Sequence, residues 1–72
     1  MSYYNEGIDL TKANNHQESI VYYDKALDLD KNNVKALVAK GYTLDVAGFS
    51  YKQVVSLYDR ALKLTQNVLR QY

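Results

Sequence analysis

The chain has 72 residues, nine basic and eight acidic for a formal charge of +1, with no cysteine and no proline. A chain this short fits one small domain with a thin margin of buried surface, and without cysteine it has no disulfide staple, thiolate metal site or thiol nucleophile. Balanced charge with no run of either sign leaves no footprint for nucleic acid and no polybasic anchor, and no stretch reaches the ~20 apolar residues of a membrane span.

The opening Met1-Ser2-Tyr3-Tyr4-Asn5-Glu6 has neither the basic segment nor the apolar stretch of a signal peptide. The expectation is a soluble, cytoplasmic protein with no nucleic-acid or membrane partner. A first helix is predicted over Ser2–Ala13, stopped by Asn14, a residue type that tolerates the left-handed conformation. Asn15 with Glu18 three residues on reads as an N-cap and capping-box acid for a second helix, His16–Asp30. Ile20, Tyr23, Ala26 and Leu27 follow its helical period. A third helix is predicted over Val34–Ala47, with Leu37, Gly41 and Leu44 on one face, and Gly48 as its stop. Ser50 with Gln53 repeats the cap device and starts a fourth helix at Tyr51. Short turns make neighbouring helices antiparallel, so the helices pair as hairpins.

The chain repeats itself. Gly7 and Gly41 lie 34 residues apart, as do Leu10 and Leu44, whereas Tyr23-Asp24-Lys25-Ala26-Leu27-Asp28-Leu29 recurs as Tyr58-Asp59-Arg60-Ala61-Leu62-Lys63-Leu64 at a displacement of 35. The extra residue of the second copy is Phe49, between a helix stop and the next start, where insertions cost little.

These residues resemble the tetratricopeptide repeat, a helix–turn–helix unit of about 34 residues. The family carries a small residue midway along the first helix, matched by Gly7 and Gly41. On its second helix it carries an aromatic and then a small residue, matched by Tyr23 with Ala26 and Tyr58 with Ala61. Glycine and alanine let helices approach closely, and the aromatic fills the wedge. Departures are Leu37 in place of the early aromatic that Tyr3 supplies in copy one, Val54 where copy one has Ser19, and Lys31 and Gln66 in place of a closing proline. The resemblance implies an all-α fold of two hairpins in a right-handed stack. It makes residues 1–72 a single domain, with repeat one about 2–33, repeat two about 34–66, and 67–72 extending the last helix.

No catalytic motif is present, and no base–nucleophile pair can be nominated, so no enzyme, cofactor or metal site is expected. His16, the sole histidine, reads as a solvated turn residue. Asp24 and Asp28 read as a solvated face beside Lys25 and Lys31.

What the resemblance implies instead is a concave groove on the first helix of each repeat, holding a protein or peptide partner. Matching positions assign it Tyr4, Ile8, Thr11 and Lys12 from copy one and Lys35, Val38, Tyr42, Asp45 and Val46 from copy two. Its aromatic and apolar centre, with charges toward the ends, suits an extended peptide or an amphipathic helix with apolar anchors. The carboxylate clamp of some family members is disfavoured, because its places are held by Tyr4, Ile8 and Ala39.

The last helix is expected to run from Tyr51 to about Tyr72, ~33 Å at the usual rise, and to end on an apolar stripe of Val68, Leu69 and Tyr72. That stripe fits the start of a third repeat capped by Asn67 in a longer array, a capping helix, or self-association; the expectation is a homodimer, because two repeats without staples need more buried surface. The alternative function is therefore structural self-assembly. A variant fuses the second and third helices through Asp30-Lys31-Asn32-Asn33 and swaps hairpins between chains.

Overall fold

The computed structural model describes the backbone of residues 2–70 and the side chains of residues 2–66. Every described element is a helix: α1 is Tyr3–Lys12, α2 His16–Leu29, α3 Val34–Val46 and α4 Tyr51–Arg70. The ends fall within a residue or two of the places where the stop and cap signals put them.

Both hairpin turns are closed by the same device. At the end of α1 the Asn15 N–H donates to Leu10 O at 2.8 Å and the Asn14 N–H to Thr11 O at 3.0 Å, with Asn14 left-handed at φ 65°. At the end of α3 the Phe49 N–H donates to Leu44 O at 2.9 Å and the Gly48 N–H to Asp45 O at 3.1 Å, with Gly48 at φ 83°. These paired bonds satisfy carbonyls that the helix end leaves free, in the Schellman arrangement. The inserted Phe49 now has a physical role. In the first turn Asn15 must close α1 and start α2 at once, whereas in the second Phe49 closes α3 and Ser50 is left to start α4.

That double duty explains one departure from expectation. Asn15 stands at the N-cap position of α2, but its side chain makes no capping bond. The side-chain caps lie elsewhere: Ser2 Oγ accepts from Asn5 N at 3.1 Å, and Asn33 Oδ1 accepts from Ala36 N at 3.1 Å.

The link between hairpins keeps the expected break after the second helix and rules out the fused, hairpin-swapped variant. Residues 30–33 do not fuse α2 to α3. Asp30 is extended, its Oδ1 accepts from Asn32 N at 3.0 Å, and Asn33 then caps α3. This Asx turn supplies the break that the absent proline makes elsewhere. Arg60 of α4 ties the turn down by donating to Lys31 O at 3.1 Å.

α1 pairs with α2 and α3 with α4, and α3 also packs on α2 and α1. The third helix is thus central, burying Ala36, Leu37, Ala39, Gly41, Thr43 and Leu44. Leu37 has no exposed surface, so the aliphatic residue at an aromatic position of the repeat is a core residue. Val54 is likewise buried in the place that Ser19 fills in the first hairpin. Asn67 lies inside α4 and does not start a new helix.

Candidate functional site: a tyrosine-lined groove

The groove begins with the two mid-helix glycines. A Cβ on Gly7 would stand 2.7 Å from Cδ1 of Tyr23, and closer still to Cε1, while one on Gly41 would stand 2.8 Å from Cε1 of Tyr58. Without Cβ atoms there, the rings on α2 and α4 pack directly against α1 and α3, and both also line the depression.

That depression has a volume of about 660 Å³. Tyr4, Ile8, Thr11 and Lys12 line it from α1, and Lys35, Val38 and Tyr42 from α3. Val38 is 44% and Tyr42 55% exposed, so both present apolar surface to the depression. Asp45 and Val46 are exposed and do not line it. Tyr23, Val34, Ala39 and Tyr58 complete the lining. Sequence reasoning assigned the two tyrosines to the wedge between helices and missed their second face; their pairing with the glycines was the available signal.

A cluster of hydroxyls underlies one wall. Thr11 Oγ1 bonds Tyr23 OH at 3.1 Å, Thr43 Oγ1 at 3.1 Å and Ser19 Oγ, and Ser19 Oγ donates to Gly7 O at 2.8 Å. Thr43, Ser19 and Tyr23 are wholly buried, so each polar atom has its partner inside the protein. The cluster joins α1, α2 and α3 and holds the floor in place. Tyr4 lies over it, its ring 6.3 Å from that of Tyr23 at 42°.

Tyr58 sits at the other margin. Burial holds its phenol above the ordinary value, and the Asp45 carboxylate and Tyr42 beside it push in the same direction. Asp45 therefore acts on the groove margin through its charge without forming the wall.

Two readings outside the groove change. His16 is half-buried, with a buried Nδ1 that has no hydrogen-bond partner among the described residues, and is not a solvated turn residue. Asp24 pairs with Lys40 of α3 across the hairpin junction, whereas Lys25 lies 4.7 Å over the Tyr22 ring. Among the described residues no three His, Cys, Asp or Glu side chains gather as metal ligands would, and no helix is long and apolar enough to cross a membrane. The self-association stripe of Val68, Leu69 and Tyr72 lies outside the described side chains.

Residues 1–33 match the sequence model of the tetratricopeptide repeat. Tetratricopeptide repeat protein 14 of Mus musculus is 37% identical over 57 residues, which cover 79% of this chain. The chain spans only about 7% of that protein's length. These matches place the chain in the tetratricopeptide repeat family, whose members serve as modules for protein–protein interaction.

Proposed function

We propose that the chain binds a segment of a partner protein along the groove between α1 and α3, with Tyr4, Ile8, Val38 and Tyr42 taking its apolar anchors. The observation that carries this reading is apolar surface left open over a floor anchored by the wholly buried, hydrogen-bonded Tyr23. Tyr42 and Val38 are about half exposed, while the tyrosine and alanine beneath them are buried and hydrogen-bonded or close-packed. Preformed concave surface of this kind binds without first having to be ordered. Lys12 and Lys35 on the rim, and Asp45 beyond it, set the charge that a ligand meets at each end. The fitting ligand is an extended peptide or one face of an amphipathic helix, with bulky apolar residues at the centre.

The test is calorimetric titration of the full chain with a peptide selected on it from a random library. Tyr42→Ala should weaken binding at least about tenfold, the loss typical of a central aromatic anchor, and should leave the thermal midpoint nearly unchanged because the ring is exposed. Unaltered affinity in Tyr42→Ala, or failure to select any saturable ligand, would remove the proposal.

A further inference from the structure

The polar hub of the first hairpin has a different occupant in the second. Thr11 and Asp45 lie 34 positions apart, as Gly7 and Gly41 do, and each stands one helical turn beyond its glycine. Thr11 is satisfied inside the protein by Ser19, Tyr23 and Thr43. Asp45 is exposed, and its carboxylate is in no ion pair among the described residues. It also stands at a helix end of its own sign. The C-terminal end of a helix is negative and favours cations. The last turn of α1 carries Lys12, whereas that of α3 holds Asp45 and no basic residue. This placement concentrates negative charge at one end of the groove.

Two phenol rings flank that charge. Tyr42 precedes Asp45 by three residues on α3 and so shares its face, and the Tyr58 ring lies against Gly41, four residues before Asp45. Both rings line the depression, Tyr42 55% and Tyr58 37% exposed. Burial first, and then Asp45, hold the Tyr58 phenol above its ordinary value, so phenol and carboxylate are within electrostatic reach of each other. A carboxylate beside two electron-rich rings attracts a cation. Guanidinium suits it above all, since it stacks on rings and gives a carboxylate two parallel N–H donors. The chain already holds a cation of its own on two such rings: the Lys25 ammonium lies 4.7 Å from the centre of Tyr22 and 5.6 Å from that of Tyr3.

We propose that Asp45, Tyr42 and Tyr58 form a receptor for an arginine of the partner segment, at the end of the groove where α3 terminates. The inference rests on the groove reading and adds a polarity to it. The partner's apolar anchors lie along Tyr4, Ile8 and Val38, and its arginine follows them toward Asp45. Lys12 lines the groove from α1, in no ion pair among the described residues, and sets the competing preference for an acidic residue.

The test selects peptides from one random library on the full parent chain and on Asp45→Lys. The parent pool should carry arginine at one fixed spacing from its apolar anchors, and the Asp45→Lys pool should lose it. Calorimetric titration then pairs the tightest parent peptide, and its version with glutamine for that arginine, with the parent and with Asp45→Asn. Removing either charge alone should weaken binding about five- to tenfold, and in Asp45→Asn the peptide's arginine should matter less than about threefold. Circular dichroism melts check that the variants fold, and the glutamine peptide reads the same charge on the parent chain alone. Binding that Tyr42→Ala weakens and Asp45→Asn leaves intact keeps the groove and overturns this proposal. So does a parent pool with an acidic residue at that spacing, which assigns the groove end to Lys12. A library that yields no saturable ligand removes both readings.

Discussion

Gly7 and Gly41 hold equivalent places in the two hairpins, yet the rings above them differ in freedom. Tyr23 is wholly buried and hydrogen-bonded to Thr11, so a methyl group on Gly7 meets a ring that cannot yield. Tyr58 is partly exposed and can swing outward from a methyl group on Gly41. Alanine also gains ~1 kcal/mol of helix propensity over glycine at either position. Gly7→Ala should therefore destabilise by about 1–3 kcal/mol, and Gly41→Ala should stay within ~1 kcal/mol of the parent, both read from urea unfolding. Tyr58 adds a dependence on pH. Its phenol ionises less readily folded than unfolded, because burial, Asp45 and Tyr42 all disfavour the anion. Its contribution to stability is complete below the unfolded value of 10.0 and is lost as pH rises from there through the folded value, where the unfolded chain binds fewer protons. Unfolding free energies measured on either side of pH ~10 should fall more steeply in the parent than in Tyr58→Phe.

The helices themselves were largely readable in advance, because stops and periods are local. Asn14 and Gly48 are left-handed where their residue types allow it, and helix ends follow from them. Side-chain caps were less readable. Asn15 and Asn33 are the same residue in the same role, and only the Asn33 side chain accepts a capping bond. The difference comes from the neighbouring turn: Asn15 is already committed by its N–H to closing α1, a constraint that no pattern within α2 reveals. Asn33→Ala should cost about 1 kcal/mol and Asn15→Ala less than ~0.5 kcal/mol, compared by thermal melts of the two variants. The break at residues 30–33 was expected from the helix bounds, but the device that makes it was not. Proline is the visible signal for it, and here an aspartate carboxylate and a backbone amide do the same work.

At the scale of the molecule, repeat spacing placed first-helix side chains on a common face, and Tyr4, Ile8, Lys12, Lys35, Val38 and Tyr42 do gather around one depression. Asp45 keeps nearly the same helix face as Val38, two turns earlier, and falls beyond the depression along the helix axis, not around it. What spacing cannot give is depth, which depends on two rings reaching through from α2 and α4. A second, comparably large depression of about 580 Å³ lies between those helices, where Gln17, Phe49 and Leu57 are among its walls. It has a more polar rim and no tyrosine. The central claim is that the partner lies on α1 and α3 and not there. The most direct measurement is an amide chemical-shift map of the full chain, titrated with the selected peptide. Shifts centred on Ile8, Val38 and Tyr42 are the predicted result. Shifts centred on Gln17, Phe49 and Leu57, with the groove amides unmoved, would contradict it.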